Sequence, residues 1–391
     1  MIVRPPRTED DEQIYEVSRL AFGGPREPAP AYLWSAQQGW HGLVAELDDR
    51  IAGTVKVRDY RQFFGGAAVP MGGVANVAVS PAARGHGVAN ALIDAILPEM
   101  RDRGQCVSAL YPSVPPLYRG RGWEQTGNYE RVTLRPEHFT MVPRPSERLV
   151  MRRATKDDLP ALHDCYLRFA STVEGMLDRA TDSFQLEKLL DLDIVDVVPG
   201  QDGTVLGYVT GERPEGEKLT VHDLVADDLE TVLVLFTNLA RWSGIISEIS
   251  LRIDDPAWWQ LIVPQPVLHD VRNHPWMLRV VDLPAAVAAR GWPIAAHLAD
   301  TSVDIEVTDE HASWQSGRHR LVVEGGKVRC EPGAGNGTVR LHARALGPWF
   351  AGSADTAMLR RAGLIEGDAT AARVLDLLTG APRLPRMADS F

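Results

Sequence analysis

The sequence is poor in cysteine, with Cys106, Cys165 and Cys330 in 391 residues. Three thiols without a Cys-x-x-Cys pair exclude a disulfide framework and a zinc knuckle, and they fit reduced thiols in a cytoplasmic protein. Long apolar runs are missing too. Stretches such as Val232-Leu233-Val234-Leu235-Phe236 fall far below the ~20 residues that a membrane span needs. The opening Met1-Ile2-Val3-Arg4-Pro5-Pro6-Arg7 passes straight to Thr8-Glu9-Asp10-Asp11-Glu12, so the apolar stretch of a secretory signal is absent. The expectation is a protein that is neither exported nor inserted in a membrane.

An excess of positive charge is lacking as well. The formal net charge of −11 argues against nucleic acid as a partner, because counterion release rewards basic surfaces. Residues 146–285 carry the whole excess, with 13 Lys and Arg against 24 Asp and Glu, while the flanking segments are balanced. An acidic region keeps a protein soluble, and beside an active site it attracts cations. No His-Glu-x-x-His occurs, so no metal is expected. His311 and His319, at strand-like spacing, are expected on hairpin surfaces. The Gly-x-Ser-x-Gly elbow of hydrolases is absent also. What remains is a globular composition, 45% hydrophobic and 24% charged, in a chain long enough for two or three domains.

An internal repeat organises the first two thirds. Val3-Arg4-Pro5-Pro6-Arg7-Thr8-Glu9-Asp10-Asp11 returns as Met151-Arg152-Arg153-Ala154-Thr155-Lys156-Asp157-Asp158. Each copy reads as strand, cap and helix: Ile14, Val17, Leu20 and Ala21, or Leu159, Leu162, Tyr166 and Phe169, recur at helical spacing. Each then continues into a strand and turn, Leu43–Leu47 with Asp48-Asp49-Arg50 and Ile194–Val198 with Pro199–Gly203. Two copies of one α/β unit are expected over 1–145 and 146–285, joined at the proline-spaced stretch ending Pro143-Arg144-Pro145. Residues 286–391 read differently. Strands at 302–308, 311–316, 319–324, 327–331 and 338–342 lead to helices near 343–351, 355–361 and 368–378, an α+β unit.

The chemistry sits at residues 74–97: an apolar strand, a turn with Gly85 and Gly87, and a helix with Val88, Leu92, Ile93 and Ile96 on one face. Glycines in such a turn let the backbone approach an anion, its N–H groups and the helix dipole pointing at the charge, and Arg84 adds a full one. Asn90 stands where the dinucleotide fingerprint needs a third glycine, and Gly325-Gly326-Lys327 lacks the rest of a nucleotide-binding loop. The pattern that fits is Arg-x-x-Gly-x-Ala, at Arg84, Gly87 and Ala89 after Val77-Ala78-Val79-Ser80-Pro81, and it resembles the pyrophosphate loop of GNAT acyl-CoA N-acyltransferases. About 25 residues on, strand 107–111 is followed by Tyr118-Arg119-Gly120-Arg121-Gly122-Trp123, which looks like the tyrosine and glycine signature closing that family's core. A phenol of ordinary pKa near ~10 stays protonated at pH 7, and the resemblance makes Tyr118 the general acid for the departing thiolate.

Over essentially the whole chain, the order of an active GNAT unit, a second GNAT-like unit, a sterol-carrier-like α+β unit and a terminal Phe391 resembles the Eis (enhanced intracellular survival) family of N-acetyltransferases. The resemblance implies acetyl-CoA as co-substrate, small polycationic amines of the aminoglycoside kind or lysine side chains as acceptors, a homohexamer, and the carboxylate of Phe391 as general base. An α-carboxyl with pKa near ~3.5 is a weak base, so it would act after attack, once the nitrogen proton has become acidic. By matching position, Val77, Ala78, Val79, Arg84, Gly85, His86, Gly87, Val88, Ala89, Asn90 and Ser113 would bind acetyl-CoA, and Phe22 and Trp34 would line the amine pocket. Ala82-Ala83-Arg84 offers one basic residue where the family has a run, which implies fewer contacts to the adenosine phosphate. In the second copy the equivalent loop, Ala226-Asp227-Asp228-Leu229-Glu230, has three carboxylates and no glycine, so that copy is expected to be degenerate. The competing reading is a lipid- or CoA-binding module, favoured by an apolar tunnel in the third unit; a filled third unit with its tail threaded into the first favours the enzyme.

Overall fold

The apolar runs become two sheets in a computed structural model that describes residues 1–146, 149–253, 259, 261–263, 270–333 and 337–391. The first copy supplies strands β1 (Ile2–Arg4), β2 (Trp40–Leu47), β3 (Arg50–Phe64), β4 (Ala67–Val79), β5 (Val107–Leu110) and β6 (Glu124–Leu134), with helices α1 (Asp11–Phe22), α2 (Val88–Asp102) and α3 (Pro115–Arg119). The second supplies β7 (Arg152–Arg153), β8 (Ile194–Pro199), β9 (Val205–Glu212), β10 (Lys218–Ala226), β11 (Glu248–Ile253) and β12 (Asp270–Val280), with α4 (Leu159–Ala170) and α5 (Leu229–Ala240). The repeat extends to atomic detail. Arg4 pairs with Asp10 and Arg152 with Asp158, each at 2.7 Å, while Asp10 and Asp158 accept the backbone N–H of Arg7 and Thr155. These aspartates cap backwards, onto the turn before the helix.

Among the described residues all twelve strands form one sheet, in the order β1-β2-β3-β4-β5-β12-β6-β11-β10-β9-β8-β7. The two copies have exchanged strands. β12 lies against β5 of the first copy and β6 against β11 of the second, both antiparallel. The cores follow the exchange: Val132 and Leu134 of β6 are buried with Phe236 of α5, and Met277 of β12 with Leu92 and Ile96 of α2. The chain boundary expected near residue 145 therefore does not divide the sheet.

The last third holds α6 (Leu283–Ala289), β13 (Thr301–Thr308), β14 (Gly317–Glu324), β15 (Lys327–Pro332), β16 (Val339–His342), α7 (Ala343–Phe350), α8 (Thr356–Arg361), β17 (Ile365–Gly367) and α9 (Ala369–Thr379). Its strands form a second sheet, β15-β14-β13-β16-β17. Leu346, Trp349, Phe350 and Leu375 fill the space over it and are fully buried. Gly347 lets α7 lie on β12, since a Cβ there would come within 2.4 Å of the Leu278 carbonyl.

Two expectations fail in this region. Residues 311–316 are a loop, because Asp309 accepts the backbone N–H groups of His311 and Ala312 and folds the chain into a turn. Asp309 is in turn pinned by the buried Arg279 of β12 at 2.7 Å. His319 is also not a surface residue: it is buried, with Nε2 2.8 Å from the Gln315 carbonyl, and His311 pairs with Asp94 of α2 at 2.9 Å. Among the described residues no helix is long and apolar enough to cross a membrane.

Beyond α9 the chain runs back between the two copies. The N–H of Asn128 donates to the Pro385 carbonyl, that of Met387 to Asn128, and that of Arg386 to Glu174. Met387 and Ala388 are buried.

Candidate active site

β4 and β5 run parallel and pair only from Met71 to Gly73 against Val107 to Ala109. Past that point they part, and the sheet opens between Val74–Val79 and the segment after Leu110. A β-bulge marks the opening: the β3 partners step from Thr54 to Lys56 while β4 steps from Ala78 to Ala75. Asn76 absorbs the extra residue at φ 48°, its side-chain oxygen accepting from Ser18 at 2.9 Å. A bulge re-aims backbone groups that would otherwise stay in the ladder. Sequence reasoning missed it, although asparagine is among the few residues that tolerate positive φ and so left a signal.

β4 ends at Val79, Pro81–Ala83 form a 3-10 turn, and α2 begins at Val88. Gly85 and Gly87 have φ of 84° and 76°, so the turn itself requires glycine at both places. A Cβ on either would meet nothing within 4 Å, leaving the space in front of them open. Gly87 is the N-cap of α2 and no side chain closes the helix start. The first-turn N–H groups thus face outward with the positive end of the dipole behind them. Arg84, Gly85, His86, Gly87 and Asn90 are exposed around this mouth, Ala89 is half-buried, and Val88 and Ala78 are buried beneath. Val77 and Val79 are half-buried on the free stretch of β4, and Ser113 is exposed on the facing loop after β5.

The two faces of the opening differ. On the α2 face lies Tyr118 of α3, buried in the cluster that contains Val74, Leu92 and Leu110, its ring 6.3 Å from that of Trp123. Burial raises its pKa to about 12, and its hydroxyl has no hydrogen bond among the described residues. On the opposite face the alternate residues Lys56, Arg58 and Tyr60 of β3 form a row. The Lys56 ammonium is 5.5 Å from the Trp34 ring and 5.8 Å from that of Trp40, and the Arg58 guanidinium 4.1 Å from Trp40. Burial pushes the Lys56 pKa down to about 8. Arg58 donates to the Tyr60 hydroxyl at 2.9 Å.

The tail reaches this second face. The Phe391 ring lies 5.2 Å from that of Tyr60 and 5.6 Å from that of Tyr111, and a Cβ on Gly73 would come within 3.0 Å of it. Gly73 is where the pairing of β4 with β5 ends, so Phe391 sits at the apex of the opening. The structure thus brings together Trp34, Phe391 and the free edge of β4 on one face and sets Tyr118 on the other. Phe22, the last residue of α1, is exposed, in contrast to the half-buried Trp34. Lys56, Arg58, Tyr60 and Tyr111 were missed, though polar residues at alternate positions of an apolar strand signal a functional face.

Residues 2–126 match a family described as an acetyltransferase (GNAT) domain, and residues 283–388 one described as a sterol carrier protein domain. An uncharacterised N-acetyltransferase of Streptomyces avermitilis is 26% identical over 93% of this chain and 92% of its own length. A solved GCN5-related N-acetyltransferase from Kribbella flavida is 27% identical, with full coverage of both chains and a TM-score of 0.84. Eis1 from Mycobacterium abscessus, 24% identical with full coverage and a TM-score of 0.76, has the same fold. The chain is thus a tandem of GNAT mixed-sheet units followed by a sterol-carrier-like unit, and an enzyme of the N-acetyltransferase type.

Proposed function

We propose that the unit over residues 1–145 transfers an acetyl group from acetyl-CoA to a primary amine by direct attack, with 146–285 and 286–391 as non-catalytic supports apart from the tail. The observation that carries this is the opened strand β4, with an uncapped helix start at one end and Phe391 seated at its apex. The pyrophosphate would lie over Arg84–Asn90, the pantetheine along Val77–Val79 and past Ser113, and the amine beside Trp34; Phe22 would join only if the segment after α1 folded inward.

A neutral amine attacks the thioester carbonyl and gives a tetrahedral intermediate with an acidic ammonium. The terminal carboxylate of Phe391 takes that proton on one face of the sheet, and the C–S bond breaks toward Tyr118 on the other. A phenol of pKa about 12 is a hydrogen-bond donor throughout the neutral range. Full transfer to a thiolate of ordinary pKa near ~8.5 is uphill, so Tyr118 first stabilises the sulfur by donation and yields its proton as burial raises the thiolate's basicity.

The acceptors in this reading are small polycations or lysine side chains, and the assembly a cytoplasmic homohexamer. Acetyl-CoA-dependent thiol release over a panel of aminoglycosides, polyamines and lysine peptides tests the acceptor, and light scattering the assembly. Deleting Phe391 alone should abolish turnover and leave acetyl-CoA binding intact; unchanged turnover sinks the carboxylate as base.

A further inference from the structure

The second copy keeps the opening but uses it differently. β10 and β11 pair in parallel from Lys218 to Val221 and then part, as β4 and β5 do. β10 bulges at His222, between partners Gly211 and Thr210 of β9. Directly after the bulge comes Asp223, 6% exposed, where the first copy has apolar strand. Arg179, 4% exposed and at φ 54°, reaches Asp223 with both terminal nitrogens at 2.6 and 2.9 Å. Its guanidinium lies 4.0 Å from the Tyr166 ring, and its Nε is 3.2 Å from both carboxylate oxygens of Asp389.

Asp389 is held a second time through its backbone, whose carbonyl accepts from the Tyr111 hydroxyl at 2.7 Å. Met387 and Ala388 lie in the second opening itself, leaving only about 20 Å³ unfilled among Tyr166, Met176, His222, Asp223 and Arg252. The tail thus plugs the vestigial site and is clamped two residues before Phe391. Burial alone would raise the Asp223 carboxyl, but the Arg179 charge outweighs it and holds the pKa to about 2. Arg252, 3.5 Å from Asp223, brings the cluster to two charges of each sign. In a group balanced in this way, loss of the Asp389 charge frees the tail while Arg179 keeps its two bonds to Asp223.

We infer that the degenerate copy has kept its strand opening as a socket, in which Arg179, braced by Asp223, grips Asp389 and sets Phe391 against Gly73. Arg179 and Asp389 are then positioning residues, and the second copy contributes to catalysis without touching either substrate. This rests on the reading of the Phe391 carboxylate as base, and the experiment separates the two.

Full-length Asp389→Asn, Asp389→Glu and Phe391-deleted proteins would be compared for kcat, for the KM of acetyl-CoA, for melting temperature and for the rate at which carboxypeptidase releases the last residue. The Asn variant is chosen because it leaves the Arg179–Asp223 pair intact. It should lose about 10- to 100-fold in kcat, keep its KM for acetyl-CoA within twofold and release Phe391 at least tenfold faster, while Asp389→Glu recovers most of the kcat. If Asp389→Asn keeps wild-type kcat and tail protection while deletion of Phe391 abolishes turnover, the socket is wrong and the base stands. If deletion of Phe391 leaves turnover unchanged, the base is wrong, and slow tail release in Asp389→Asn would overturn the socket separately. Equal falls in melting temperature and kcat for both Asp389 variants would mark a merely structural role and also overturn it.

Discussion

The two copies place a helix start at the same point of the fold and treat it in opposite ways. In the first, α2 begins after Gly87, with no capping side chain. In the second, α5 begins after Asp228, whose carboxylate accepts the N–H of Thr231 at 2.8 Å. The lesson is about unsatisfied N–H groups at a helix start: they can be given to the fold or kept for a ligand, but the same group cannot serve both. The degeneracy expected of the loop with Asp227, Asp228 and Glu230 has a local basis besides charge, since the Asp228 carboxylate already accepts a first-turn N–H of α5.

The sharpest way to break this comparison is to move the cap. Gly87→Asp should weaken acetyl-CoA binding by about a hundredfold, through repulsion and competition for the N–H groups. Calorimetric titration checks it, and the unmodified protein should saturate at one acetyl-CoA per chain. Binding within threefold of the parent, or a second site, would sink the contrast between the copies.

A smaller effect distinguishes the strands. β3 buries Lys56, with a pKa of about 8 against an ordinary 10.5, and β9 contains no lysine. Between those values the unfolded chain holds more protons than the folded one, so stability rises with pH. Lys56→Met should remove that rise, and the variant's advantage at pH 7 should shrink by up to roughly 3 kcal/mol by pH 10.5. Urea denaturation over this range decides; parallel curves for parent and variant would mean that the ammonium is not desolvated. The smallest effect belongs to the capped helix. Asp228→Ala should cost about 1 kcal/mol of stability and leave acetyl-CoA affinity unchanged, so a change in affinity would mean that α5 faces the cofactor after all.

The cradle was legible in the sequence because its causes are local: glycines at fixed offsets supply the φ values that Gly85 and Gly87 need, and the helical spacing of Val88, Leu92 and Ile96 follows at once. The repeated ion pairs Arg4–Asp10 and Arg152–Asp158 lie six residues apart and could be read the same way. The exchange of β6 and β12 could not, since alternation says which face of a strand is buried but not which strand lies beside it. Arg179 was invisible for the same reason: its partners Asp223 and Asp389 are 44 and 210 residues away. The loop at 311–316 was misread because one acceptor, Asp309, outweighs the strand pattern that follows it.

The exchanged strands bear on how the molecule must assemble. Pairing of β5 with β12 joins Leu110 to Met277, and pairing of β6 with β11 joins Leu134 to Ile249, so each half is sealed by a segment made long before or long after its own core. Closing loops of that length makes productive pairing slow. Neither half presents a finished sheet edge until both have formed, so the twelve strands should melt in a single transition, and a chain cut at the repeat boundary should leave two open edges that seek each other.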